Sequence, residues 1–118
     1  MCSLIIFVQF VPMKEVLMLA EFSVVTVGKG EGMGDQIAKV LKIVDESGLP
    51  YKANPMGTVI EGDWDQVMGL IKRCHQEILK DSPRIVTSIS IDDRPGKPNR
   101  ITEKLKSVER RLGREVKK

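Results

Sequence analysis

The stretch that decides the fold is "NPMGTVIEGDWDQV", Asn54 to Val67. Asn54-Pro55-Met56-Gly57 fits a type I turn: Asn can bond to the turn backbone, Pro presets φ at the second position, and Gly suits the fourth. The turn predicts a hairpin between short strands over residues 51–54 and 58–61. After Gly62, Asp63 with Gln66 three residues on resembles a capping box. Trp64, Val67, Met68, Ile71, Cys74, His75, Ile78 and Leu79 then recur at helical spacing. A hairpin that runs straight into an amphipathic helix is the central unit of this chain.

Upstream, "VLMLAEFSVVTV" (residues 16–27) is rich in apolar and β-branched residues and reads as a long strand. Met18, Ala20, Phe22, Val24 and Thr26 form its more apolar side and are assigned to the core. Leu17, Leu19, Glu21, Ser23 and Val25 then take the opposite face. "GKGEGMGD" follows, a loop whose alternating glycines match neither G-x-G-x-x-G nor the P-loop pattern, so it reads as a connection and not as a phosphate cradle. Asp35 is placed to cap a helix with Ile37, Val40, Leu41 and Val44 on one side, stopped at Gly48 and Pro50.

Downstream, Asp81-Ser82-Pro83 ends the second helix, and "RIVTSISIDD" alternates Ile85, Thr87, Ile89 and Ile91 against Val86, Ser88 and Ser90 as another strand. Asn99 is placed to cap a last helix, about 99–112, whose Ile101, Leu105, Val108 and Leu112 form a narrow seam.

Composition bounds the rest. With 118 residues, 42% of them hydrophobic, there is material for one core. Aromatics make up only 4%, so that core is aliphatic. The net charge of +3 is uneven: residues 97–118 hold nine basic and three acidic residues, a net of +6, which leaves −3 for the remainder. That tail reads as a solvated helix face before it reads as a nucleic-acid surface. Cys2 and Cys74 form no Cys-x-x-Cys pair, so neither a zinc site nor a disulfide framework is indicated, and a reducing cytoplasm is expected. "MCSLIIFVQFVPM" lacks a basic flank and a cleavage site and is too short to span a bilayer, so no membrane role is expected. Residues 1–13 therefore read as an apolar extension, either an extra N-terminal strand or a segment preceding a start at Met13. Residues 14–118 read as a single domain.

Strand, helix, strand, strand, helix, strand, with one helix appended, is the order of a ferredoxin-like βαββαβ sandwich of the α+β class. Both main helices cover one face of an antiparallel sheet. Leu17, Leu19, Val25 and one apolar set from the last strand would make the other face too apolar to remain in water, so burial by another subunit is expected.

At this point "AEFSVVTVG", "YKANPMGTVIEGDWDQVMGLIKRCHQ" and "RIVTSISIDDR" resemble successive blocks of the thiamine-binding protein family, over about residues 16–112. The resemblance implies a ferredoxin-like homotetramer, a dimer of dimers packed sheet to sheet, that binds thiamine or its hydroxymethylpyrimidine moiety without catalysis and without a cofactor.

Such a ligand needs hydrogen-bonding side chains, a carboxylate and apolar walls. Glu21 is the leading candidate, since a carboxylate within an apolar strand must be paired, solvated or neutralised, and the ligand is expected beside it at a site between subunits. Ser23, Thr58, Thr87 and Ser88 are small hydroxyls on neighbouring strands, and Asn54 lies at the turn. Each has a plain structural role as its alternative: a salt bridge for Glu21, ordinary strand positions for the hydroxyls, a turn brace for Asn54. Glu61 reads as a charge near a helix start. His75 reads as a hydrogen-bonded boundary histidine, and with no second histidine neither a hydrolytic triad nor a multi-histidine metal site can form. Asp92-Asp93-Arg94 reads as a strand end. The alternatives to a binding protein are an RNA-binding domain, which shares this element order but stacks bases on strand aromatics absent here, and a ligand-free regulatory or assembly module.

Overall fold

The computed structural model of the chain describes residues 17–28, 33–94 and 100–117. The N-terminal extension, most of the glycine-rich loop and the expected cap at Asn99 lie outside the described residues.

Alternation in β1 (Met18–Val27) sets the layers. Met18, Ala20 and Phe22 are buried, as the sequence predicts, and β1 is paired on both sides in a four-stranded antiparallel sheet of order β2-β3-β1-β4. β2 (Tyr51–Asn54) and β3 (Gly57–Gly62) form the hairpin, with Asn54 opposite Gly57 across the two-residue loop Pro55-Met56. Glycine at 57 answers a close approach: a Cβ there would meet the Phe22 carbonyl oxygen at 3.0 Å. β4 (Arg84–Asp92) pairs along the other side of β1, from Leu19 opposite Asp92 to Val27 opposite Arg84. This is the ferredoxin-like arrangement expected from the element order.

The helices α1 (Gly34–Glu46) and α2 (Trp64–Leu79) close the core over β1 and β3. Val40 and Val44 from α1, and Val67, Leu70, Ile71, Cys74 and Ile78 from α2, join Met18, Ala20, Phe22 and Ile60 in one cluster. The capping box at the start of α2 is formed as predicted: Gln66 N donates to Asp63 Oδ1 at 2.7 Å, and Asp63 N donates to Gln66 Oε1 at 3.1 Å. Two details differ from expectation. Helix α1 starts at Gly34 with Met33 at its N-cap and no side-chain cap, so Asp35 falls in the first turn, where its charge still complements the helix dipole. Trp64 and Leu79, counted in the apolar stripe of α2, are exposed: they are the first and last residues of the helix, whose buried positions run from Val67 to Ile78.

The last helix, α3 (Arg100–Leu112), lies against the other face. Glu61, Leu19 and Asp92 form one cross-strand row on that face. Both carboxylates in the row hold the helix: Arg100 N donates to Glu61 Oε2 at 2.7 Å, and Lys104 Nζ lies 2.7 Å from Asp92 Oδ2. Glu61, 2% exposed, thus caps α3 from 39 residues away and does not serve the helix next to it in sequence. Ile101 and Leu105 are half-buried, while Val108 and Leu112 remain exposed.

β4 presents Arg84, Val86, Ser88, Ser90 and Asp92 to this second face, and its isoleucines take the helix side. The open face is therefore more polar than the sequence reading made it.

Two outcomes follow. Ile60→Ala leaves a cavity in the middle of the sheet and should cost about 2–5 kcal/mol in denaturant unfolding, with the m-value unchanged. The Lys104 ammonium holds the Asp92 carboxyl below the usual carboxylate range through a hydrogen bond and charge attraction. A folded-state value below the unfolded one means a contribution present at neutral pH and lost as pH falls through the lowered value. Amide exchange in α3 should accelerate on acidification before exchange in β1 does, and Asp92→Asn should reproduce the loosening at neutral pH. Equal pH response of α3 in both proteins would exclude this pin.

Candidate functional site

A cleft of about 300 Å³ opens where the C-terminal half of β1, the start of α1 and the β2–β3 hairpin meet. The hairpin brings Asn54, Met56 and Thr58 to one side, β1 contributes Phe22, and the first turns of α1 contribute Met33 and Ile37. It forms because α1 begins beyond the point where β1 is covered: Val40 reaches the core, whereas Ile37, one turn earlier, is half exposed over the opening. No charged side chain lines the cleft among the described residues. Its polar atoms come from neutral groups, including the Thr58 hydroxyl and the Asn54 amide. Thr58 is 7% exposed in the cleft wall. Such a lining suits a flat, largely apolar ring with a few hydrogen-bonding edges.

The residues selected from the sequence fall into three places. Ser23, Asn54 and Thr58 border this cleft. Glu21 and Ser88 lie on the open face, where Glu21 stands opposite Val59 on one side and Ser90 on the other. Its side chain leans over Gly57, its Cγ 3.3 Å from the point a Cβ there would occupy. Thr87 is on the helix side, where its hydroxyl shares a 2.7 Å hydrogen bond with His75 Nδ1. The hydroxyls expected beside Glu21 are thus divided between two faces, because Thr58 pairs with Phe22 and Thr87 with Val24.

Sequence reasoning missed the apolar half of the cleft. Met33 and Met56 stand among glycines and beside a proline, where neither strand nor helix periodicity assigns them a side. Two unbranched thioethers in such positions are adaptable wall material, and that was the available signal.

The remaining reactive groups are quiet. Cys74 is fully buried, and desolvation pushes its thiol up to about 11, so little thiolate exists at neutral pH. Among the described residues, no group of three or more His, Cys, Asp or Glu is arranged to hold a metal ion. No helix among them is long and apolar enough to cross a membrane.

Comparison with known proteins places this geometry in a family. A UPF0045 protein of Mycobacterium bovis is 40% identical over 95 residues, covering 80% of this chain and 93% of that one. A UPF0045 protein of Synechocystis is 36% identical over 97 residues, covering 81% and 80%. The crystal structure of a Methanocaldococcus jannaschii protein superposes with a TM-score of 0.74 at 35% identity, over 79% of this chain and 96% of the other. A Thermotoga maritima protein proposed to act in thiamine biosynthesis or salvage shares the fold, with a TM-score of 0.68 at 20% identity, over 78% and 98%. The family model described as "Thiamine-binding protein" matches residues 20–109, which span β1 through nearly all of α3, and the chain belongs to that family.

Proposed function

We propose that this protein binds thiamine, or the hydroxymethylpyrimidine portion of it, in the cleft between the β2–β3 hairpin and the start of α1, without catalysing a reaction. The observation that carries the reading is the neutral, mostly apolar lining of that cleft, with the buried Thr58 in its wall. An aminopyrimidine is a flat ring with donors and acceptors on its edge. Phe22, Ile37 and the two methionines offer it apolar contact, while Thr58 and Asn54 offer hydrogen bonds. Family membership and the role proposed for the Thermotoga maritima protein support the choice of ligand. The RNA-binding alternative loses ground on geometry: Phe22 points to the helix side, and the described open face carries Glu21, Ser23, Val25 and Ser88 but no aromatic platform.

Assembly belongs to the same reading. Val25 and Val86 stand exposed and paired on the open face, and Val108 and Leu112 of α3 are exposed as well. Covering this surface with a second copy, within a homotetramer built as a dimer of dimers, removes it from water. Glu21 then lies in the subunit interface, one strand away from the cleft. A ligand held between subunits by Glu21 is the second reading, supported by the exposed carboxylate on that face.

Calorimetric titration with thiamine and with hydroxymethylpyrimidine tests both. Thr58→Val should weaken binding roughly fivefold through loss of one neutral hydrogen bond, with Glu21→Gln close to wild type. The reverse pattern moves the site to the open face, where loss of a charge-assisted bond should cost about 1.5–3 kcal/mol. Absence of heat and of any thermal shift with either compound rejects the ligand.

A further inference from the structure

The basic C-terminal arm takes no part in the cleft or in the core. Residues 106–117 carry five cations, Lys106, Arg110, Arg111, Arg114 and Lys117, against Glu109 and Glu115, whereas residues 1–96 are net acidic. All five cations are exposed, and none forms a salt bridge among the described residues. The end of α3 fixes their arrangement. Gly113, at φ +84°, takes the left-handed turn that stops the helix, its N–H donating to the Glu109 carbonyl oxygen at 2.8 Å. The chain then folds back, because Val116 N donates to Glu109 Oε2 at 2.8 Å. The Glu109 carboxylate is thereby engaged by the backbone, and Lys106, Arg110 and Arg114 come together around a shallow hollow of about 470 Å³ that Glu115 also lines.

We propose that this surface binds the phosphate backbone of a nucleic-acid duplex without reading its sequence. Arg110 and Arg114 present planar forks of N–H donors that match phosphate oxygens two at a time, and Lys106, one turn before Arg110, adds a third positive contact in the same hollow. Cations left unpaired by their own protein gain affinity by displacing the counterions condensed on a duplex. Residues 97–118 contain no Phe, Tyr or Trp, so a single strand would find no ring to stack on, whereas phosphate contacts to a duplex need none. Arg110 lies about 140–180° round the helix from Ile101 and Leu105, which are half-buried against the sheet, so it faces outward. The same geometry disfavours a lipid surface. Val108 and Leu112, the exposed apolar residues of α3, each stand two positions from Arg110, about 160° round the helix, so no single face combines apolar and basic side chains as an interfacial helix must. Duplex binding rests on neither the ligand reading nor the covering of the open face.

Fluorescence anisotropy of the full chain with labelled DNA and RNA duplexes of about 20 base pairs tests this, and the two probes tell which duplex is accepted. Unrelated sequences should bind alike. Three phosphate contacts set a slope of about −2.7 in log affinity against log salt, a fall of about 40-fold between about 50 and 200 mM. Arg110→Gln and Arg114→Gln should each flatten that slope by about 0.9 and weaken binding about tenfold at the lower salt. Lys72→Gln, which removes the same charge from an exposed position of α2, should leave the slope unchanged. All three positions are exposed, and unchanged melting temperatures confirm that the variants keep the fold. No anisotropy change at about 100 μM protein in the lower salt overturns the proposal. So does a slope that Arg110→Gln leaves unaltered, an equal loss from Lys72→Gln, or tighter binding of a single strand of the same length. Binding to phosphatidylserine vesicles without binding to either duplex overturns it as well and assigns the arm to a membrane surface.

Discussion

Everything in this structure hangs on the two-residue period of β1, a strand hydrogen-bonded on both sides. Because it is paired to β3 and to β4, neither its register nor its faces can shift without breaking two ladders. Met18, Ala20 and Phe22 are thereby committed to the core, and Leu19, Glu21, Ser23 and Val25 to the opposite face. The first commitment recruits α1 and α2. The second leaves a surface that is apolar in part and charged in part, and α3 answers only one end of it. Glu61 and Asp92 flank Leu19 as two hydrogen-bond acceptors. The first residue of α3 offers Glu61 an unsatisfied backbone donor, and Lys104, one turn on, offers Asp92 a cation.

The parts legible in the sequence were those governed by local rules. Asp63 and Gln66 announce the start of α2, because a capping box satisfies donors within four residues of chain. Asn54-Pro55-Met56-Gly57 announces the hairpin, because proline and glycine restrict the backbone wherever they stand. The alternation of β1 and its neighbours, with helical stripes between them, was enough for the ferredoxin-like order. Local rules also misled where their reach ended. Asp35 had the chemistry of a cap, yet the helix begins ahead of it, and Ile37 has the spacing of a core residue but sits past the edge of the sheet.

The candidate site was less legible because it depends on pairing between strands distant in sequence. Thr58, Thr87 and Ser88 are similar side chains, and nothing in the sequence says which of them shares a face with Glu21. The observed ladders put Thr58 opposite Phe22 and Val59 opposite Glu21, so the threonine faces the helices and the cleft. Thr87 is diverted to His75, which uses its hydroxyl as the boundary partner a half-buried imidazole requires. Glu61 shows the same limit: its proximity to the start of α2 suggested a charge beside the nearest helix, whereas the sheet turns it to a helix 39 residues later.

The cleft and the open face are close to being two sides of one strand. Gly57 lines the cleft, while the Glu21 side chain lies across it from the other face, and the Phe22 carbonyl stands at the distance where even a methyl group would collide. Glycine at 57 relieves a tight approach of β3 to β1 at this point. Whatever covers Glu21 therefore bears on the backbone that forms the cleft wall, through van der Waals contact and without any change of fold. Assembly on one face and ligand on the other would then meet at the hairpin. The neutral cleft is found at that hairpin, beside the strand that two ladders hold.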